Sequence, residues 1–240
     1  MTDASALVLF SGGQDSTTCL AWALDRFQNV ETIGFDYGQQ HRVELSVRGT
    51  ILDAIRRDFP NWSYKLGDDH VFDLAVLRQV NEISGTSDLA ISVQERGLQS
   101  TFVPGRNLVF QMFAALVAYR RGANHLVTGV CQADHAAYPD TRDDTMKAMQ
   151  IALNLGMESR FIVHTPLMWI DKAETWLLAQ TLGGSDLVAL IIEETHTCFQ
   201  GDRQTRHSWG RGCGICPACD LRAQGYQKFK ASLIDEGTRI

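Results

Sequence analysis

The sequence predicts an α/β fold, a parallel sheet covered by helices on both faces with a small cysteine-bearing segment near the C-terminal end. Three observations point there. Apolar runs of strand length alternate with longer helical patterns, the arrangement that parallel strands joined by helical crossovers require. The first strand-like run opens into a glycine- and serine-rich turn just before a helix. Four of the six cysteines crowd into the last 43 residues.

In chain order, Ala6–Phe10 forms the first predicted strand, followed by a loop and a helix from about Ser16 to Phe27. Val30–Phe35 is the second strand, and Arg42–Arg57 a long helix. Trp62–Leu66 follows as a weaker strand. A helix over Asn107–Arg121 leads into a strong strand at His125–Val130, and Phe161–His164 is the last strand before a helix over Asp171–Leu182. Residues 1–195 are expected to form this α/β domain, and 196–240 a cysteine segment with a C-terminal helix. Gly67–Thr101 breaks the alternation. It is polar and rich in turn residues, and a loop that long is expected to be a lid or insert. Gly201–Gly214 also lacks a usable period.

Composition narrows the function. With 240 residues, 45% of them hydrophobic, the chain is long enough to bury a full core. Met1–Ser5 offers neither a basic nor an apolar region of a secretory signal. The apolar stretch Leu108–Tyr119 is too short to span a bilayer, so a cytoplasmic protein without a membrane partner is expected. A net charge of -6 and a pI near 5.6 argue against a nucleic-acid footprint. The basic cluster Arg203, Arg206, His207 and Arg211 reads as a solvated loop near a metal.

Phe10-Ser-Gly-Gly-Gln-Asp-Ser-Thr17 carries the sharpest signal. Gly12 and Gly13 allow positive φ and close backbone approach to a ligand. Ser11 and Ser16 add hydroxyls, and the helix that follows presents free N–H groups and its positive dipole end. Together these make an anion cradle. No Gly-Lys-Ser/Thr follows, so this is not a Walker A loop, and the glycine spacing is not that of a dinucleotide fingerprint.

Cys198, Cys213, Cys216 and Cys219 form C-x14-C-x2-C-x2-C. Two short gaps bring consecutive thiolates onto one ion, and four sulfurs with no open position describe structural Zn²⁺. An iron–sulfur cluster or redox cysteines are the alternatives. His196 and His207 are expected around this site or on the surface, and Cys19 and Cys131 as small buried hydrophobes.

The Ser11–Ser16 pattern resembles the PP-loop of the ATP pyrophosphatases, whose Rossmann-like fold groups with the HUP, adenine nucleotide α-hydrolase-like proteins. The resemblance implies that Phe10–Thr17 (Phe10, Ser11, Gly12, Gly13, Gln14, Asp15, Ser16 and Thr17) bind ATP. ATP is then cut between its α and β phosphates, with Mg²⁺ bridging them near Asp15. Further segments resemble the 7-cyano-7-deazaguanine synthase family: Phe35-Asp-Tyr-Gly-Gln-Gln-His41, Phe102-Val-Pro-Gly-Arg-Asn107, Thr128-Gly-Val130, Tyr138-Pro-Asp140 with Arg142, and Thr165–Trp176. With the cysteine motif they run from residue 9 to about 225. The resemblance implies that 7-carboxy-7-deazaguanine is adenylated, converted by ammonia to the amide, and activated again to the nitrile that feeds queuosine. It also implies a homodimer.

Residue chemistry agrees with that assignment. Arg106 is a fork suited to carboxylate or phosphate, and the turn at Pro104-Gly105 leads into a helix start that could itself receive an anion. Asn107 could cap that helix as well as bind. Asp171 and Glu174 have capping-box spacing. Lys172 sits in the same first turn, where a cation is locally unfavourable, and a phosphate contact accounts for it. Tyr37 and Tyr138 suit stacking on a purine-like ring, and Asp140 suits the N–H edge of a guanine-like base. Asp15, Lys172 and Arg106 are thus the catalytic candidates, and Tyr37, Arg106, Asn107, Tyr138, Asp140 and Arg142 the substrate-binding ones. Trp169 and Trp176 are expected in the core.

One stretch departs from the family pattern: His135-Ala-Ala-Tyr-Pro-Asp-Thr-Arg142 stands where an aromatic, Ser-Gly and Cys are usual. That departure raises an alternative, a relative that stops at an amide with another amine, such as a protein or peptide terminus. A tRNA-thiolating enzyme is a weaker reading, because the chain is acidic.

Overall fold

The computed structural model describes residues 4–37, 43–77, 103, 105–132 and 138–237. Strands β1 (Ser5–Leu9), β2 (Asn29–Asp36), β3 (Leu66–Asp73), β4 (His125–Val127) and β5 (Ile162–His164) form one parallel sheet in the order β3-β2-β1-β4-β5. The chain leaves β1 toward β2 on one side and returns to β4 on the other. The carboxyl ends of β1 and β4 therefore flank a topological switch point, where ligands of open α/β sheets bind.

Two apolar layers enclose the sheet. On one face, Ala6, Val8 and Val30 pack with Leu20 and Leu24 of helix α1 (Gln14–Arg26) and with Ile51 and Ile55 of α2 (Val43–Asp58). The same layer holds Trp176 and Ile191 of α6 (Lys172–Glu194) and Phe229 of α7 (Pro217–Gly237). On the other face, Leu7 and Ile33 meet Ala114, Ala115 and Ala118 of α4 (Arg106–Arg121) and Leu153 of α5 (Asp143–Gly156). Alanines at this spacing let α4 lie close on the sheet. Phe229 belongs to the main core, so α7 is packed into the α/β body itself.

Several expectations need correction. Trp62–Leu66 is not a strand: Pro60 starts a short helix α3 (Pro60–Ser63) and the strand begins at Leu66. Proline at a first helical position is well placed there. Gly67–Asp73, expected within the insert, is edge strand. Its burial pattern is mostly exposed, so the alternation that marks a strand is missing. Residues 78–101 of the expected insert lie outside the described residues. Helix α5 supplies the crossover between β4 and β5 that the element reading lacked. Helix α6 runs past Leu182 to Glu194 with a kink at Gly184 (φ 64°). It is long and apolar enough to cross a membrane, so Leu108–Tyr119 was not the apolar stretch to weigh. Buried Trp176, Ala179, Leu187 and Ile191 make it a core helix. Trp169 is 72% exposed, against the expected burial.

Candidate functional site

Ser11–Ser16 leaves β1 at the switch point. Gly12 has φ 90°, and a Cβ there would lie 2.8 Å from both the Glu44 carbonyl and a Val47 methyl. Glycine is therefore demanded twice, by conformation and by space. The Ser16 hydroxyl accepts from the backbone N–H groups of Ser11 and Gly12 (both 3.2 Å), and Ser11 Oγ accepts from Gly13 N–H (3.3 Å). The serines thus hold the loop amides in a converging arrangement. Thr17 donates to Gly13 O (2.8 Å), and its side chain, like those of Phe10 and Gln14, is buried.

The loop is walled on several sides. Behind β4, a Cβ on Gly129 would meet Asp15 and Ser16 backbone at 3.3 Å, which explains Thr128-Gly-Val130. His196 donates its N–H to Gly12 O (3.1 Å), and its carbonyl lies 3.3 Å from a Cβ position on Gly13. Across the mouth, Lys172 pairs with Asp15 Oδ2. Asp15 Oδ1 is buried with no partner among the described residues. Lys172 is held at the start of α6 by a capping box: Asp171 accepts from Ala173 and Glu174 N–H, and Glu174 accepts from Asp171 N–H (2.7 Å). The expected capping role of Glu174 is what the structure shows.

A second cluster brings together Tyr37 from the end of β2, Arg106 from α4 and Tyr138. The Arg106 guanidinium lies over both rings, 5.6 Å from the Tyr37 centroid and 5.8 Å from that of Tyr138, and reaches the Tyr37 hydroxyl at 3.4 Å. Burial raises the Tyr37 phenol above its ordinary pKa, with Arg106 opposing. Asp140, buried beneath the turn Pro139–Thr141, accepts from Asn107 N–H through Oδ2 (2.8 Å). Its Oδ1 is buried with no partner among the described residues.

That contact corrects two expectations. The start of α4 does not await an anion, because the Asp140 carboxylate already occupies it. Nor is Asn107 the cap: Gly105, at φ 72°, holds that position without a side-chain bond. Arg142 is exposed at the entry to α5 and joins no ion pair among the described residues. Of the departures from the family pattern, 135–137 lie outside the described residues. Thr141 donates to Tyr138 O (2.8 Å), so its hydroxyl closes the turn carrying Tyr138 and Asp140.

The cysteines converge as expected. Cys198, Cys213, Cys216 and Cys219 place their sulfurs within 4.8 Å of one another, without a disulfide. The N–H groups of Cys213 and Cys216 point at Cys198 Sγ and Cys213 Sγ (both 3.4 Å). The Ile215 N–H leads in pulling the Cys213 thiol down to about 7. Such sulfurs suit a metal ion. The basic residues nearby are buttresses: Arg206 and Arg211 pair with Glu193, and Arg203 donates to Glu194 O (3.0 Å). Arg206–His207 and Gly210–Arg211 form a hairpin, β6 and β7, too short for any period.

Three residues near the site escaped the sequence reading. Arg222, 1% exposed, donates to Trp209 O, Ile191 O and the Thr197 hydroxyl (3.0 Å), tying the cysteine segment to the back of the loop. Arg48, also 1% exposed, pairs with Asp69 and crosses under Gly12. Glu44 opens α2 beside the loop. Its position after the carboxyl end of β2 was the available signal; nothing in the pattern marked the two arginines.

A parallel sheet with an anion loop at its switch point defines a nucleotide-binding α/β enzyme class. Within it, the family model "Queuosine biosynthesis protein QueC" matches residues 5–230, and the chain belongs to that family. It is 63% identical over 225 residues to the 7-cyano-7-deazaguanine synthase of Polaromonas naphthalenivorans (strain CJ2), covering 94% of each chain. It is 60% identical to the protein of the same name from Methylorubrum extorquens (strain PA1), over 96% of this chain and 95% of that one. Burkholderia mallei (strain SAVP1) has another at 60%, over 95% and 94%. A 4-thiouridine synthetase–RNA complex with bound ATP aligns at 17% identity and a TM-score of 0.48, covering 95% of this chain and 53% of that one, too loosely to argue from.

Proposed function

We propose that the chain uses ATP to convert 7-carboxy-7-deazaguanine, by way of its amide, into 7-cyano-7-deazaguanine. The observation that carries this reading is the loop Ser11–Ser16 at the switch point, with Lys172 and Asp15 paired across its mouth. Near-complete coverage by named synthases supports it. The alternative of an amide-forming relative has no support from those comparisons. Thr141, one of the departures behind it, has a plain structural task.

In this reading the loop amides and Lys172 take the β and γ phosphates. A substrate carboxylate oxygen attacks the α phosphorus, the α–β bond breaks, and pyrophosphate leaves with the electron pair. Arg106 orients the carboxylate, Tyr37 and Tyr138 stack on the ring, and Asp140 Oδ1 accepts from its N–H edge. Ammonia then attacks the acyl carbon; AMP leaves with the C–O electrons, and one proton is lost from nitrogen. A second ATP adenylates the amide oxygen as one proton leaves the nitrogen, and loss of AMP with the second nitrogen proton leaves the nitrile. Asp15, whose Oδ1 lacks a partner, is the residue to hold Mg²⁺, which would neutralise phosphate charge. The cysteines would hold Zn²⁺ in a closed, structural site. ATP, the deazaguanine acid and ammonia suffice as partners, in a cytoplasmic homodimer.

Pyrophosphate release should depend on the acid, and mass spectrometry with ammonium present should find the nitrile. Release that ignores the acid would remove this function.

A further inference from the structure

Helices α4 and α5 cover one face of the sheet and leave an apolar groove between them. Both run antiparallel to the strands, so they lie parallel to each other. Near their starts they pack into one cluster through Leu108 and Met146. Phe110 and Phe113 turn one flank of α4 toward Phe35 of β2. The opposite flank, with Met112, Leu116 and Tyr119, therefore faces α5. Helix α5 is fixed on β5 by Gln150 and Asn154, which bond to Val163 N–H and to the Phe161 backbone. The flank it turns toward α4 carries Ala152 and Gly156, one turn apart. A Cβ on Gly156 would meet nothing within 4 Å. Residues so small cannot cover α4, and Met112, Leu116 and Tyr119 stay 42%, 46% and 56% exposed. On the outer ridge of α5, Ile151 and Leu155 stand 59% and 77% exposed. Scattered singly such residues are ordinary; gathered into a ridge beside a groove they mark an interface.

We infer that this face seats a second copy of the chain. Ridge and groove run side by side on one molecule. A two-fold axis across them sets the Ile151–Leu155 ridge of each copy into the groove of the other, the isologous contact of a symmetric dimer. Charge selects the direction. Exposed Asp144 lies in the first turn of α5 and exposed Arg120 in the last turn of α4, at opposite ends of the face. An antiparallel pairing brings Asp144 of each copy to Arg120 of the other. A parallel pairing would set like charges together at both ends, which disfavours it.

The inference deepens the homodimer of the function proposed above. Its test reads mass and not chemistry, so failure of the dimer and failure of that function are told apart. At about 10 μM, wild-type protein in light scattering after gel filtration should weigh twice the 26.7 kDa of one chain. Leu155→Glu, which sets a charge on the exposed ridge, should raise the dimer dissociation constant about 100-fold or more and keep the far-UV circular dichroism of wild type. Ala152→Trp fills the groove and should do the same. Asp144→Arg should weaken the dimer about tenfold, and adding Arg120→Asp should restore it. Wild-type protein that weighs one chain, or a dimer that survives Leu155→Glu and Ala152→Trp, would overturn the assignment. So would an Asp144→Arg defect that Arg120→Asp does not repair.

Discussion

Lys172 and Asp15 stand 157 positions apart and meet as an ion pair at the carboxyl edge of the sheet, each at the first turn of a different helix. A lysine there opposes the helix dipole, so its placement costs local stability that the carboxylate offsets. Both side chains keep some exposure, 19% and 26%. The pair is therefore accessible to an arriving phosphate, which would compete with Asp15 for the ammonium.

Lys172→Met should accordingly spare the fold and damage the chemistry. We expect acid-dependent pyrophosphate release to fall by about 100-fold or more, with Tm within a few degrees of wild type. Steady-state assays beside a thermal melt give both numbers. A rate within a few-fold of wild type would remove Lys172 from phosphate contact.

Asp140 holds the start of α4 through Oδ2 and, in the proposed function, would meet the substrate through Oδ1. Asn at 140 could still accept from Asn107 N–H, but would turn a donor toward the place where Oδ1 now accepts. Losing a charge-assisted bond costs about 1.5–3 kcal/mol, so KM for the deazaguanine acid should rise roughly 10- to 100-fold in Asp140→Asn. KM for ATP should stay put. Parallel titrations of the two substrates check this.

Much of this architecture was legible in the sequence, for identifiable reasons. The anion loop, the capping box at Asp171 and the cysteine spacing are local patterns whose chemistry depends on a few adjacent residues. Strands β1 and β2 are buried, so their apolar runs announce them. Strand β3 was misread because an edge strand with exposed Asp68, Asp69 and Val71 lacks the alternation of a half-buried one. Helix α5 was missed although β4 and β5, being parallel, require a crossover. Arg48 and Arg222 owe their importance to contacts made across distant segments. No spacing along one chain reveals such contacts.

Gly34 shows how such a contact constrains a residue. A Cβ at this position would lie 2.2 Å from Arg48 Nη1, and Arg48 is 1% exposed with nowhere to move. Overpacking of this kind costs about 1–3 kcal/mol, so Gly34→Ala should lower Tm by roughly 3–10 °C. Because the Arg48 stem also leans on Gly12, ATP affinity should fall as well. Calorimetric melts and ATP titration of the variant test the two effects separately.

The cysteine segment should behave as part of the ATP site. Its neighbours reach the loop directly, through His196 N–H to Gly12 O and through the Arg222–Thr197 bond behind Gly13. Dialysed protein should carry about one zinc per chain. Chelation under denaturant-free conditions, or Cys219→Ser, should weaken ATP binding together with stability. Elemental analysis paired with ATP titration follows both. Metal loss that leaves ATP binding intact would show the two sites to be independent.

The His125–His164 pair should make the fold acid-sensitive. Their ring nitrogens, Nδ1 and Nε2, are 2.9 Å apart, packed against Trp22 and Phe27. Burial, with His125 and Arg26 adding to it, pushes His164 down to about 4 from an ordinary 6.5. Between those values the unfolded chain binds the proton and the folded one does not. Stability therefore rises with pH across that window: the contribution is complete above about 6.5 and lost as pH falls through about 4. Partial exposure screens the effect, which should amount to about 1–2 kcal/mol. His164→Gln cannot take the proton, so its Tm should fall less steeply than that of wild type between pH 6.5 and 4. Melts of both proteins across that range decide it. Parallel curves would place the acid sensitivity elsewhere, in the paired carboxylates.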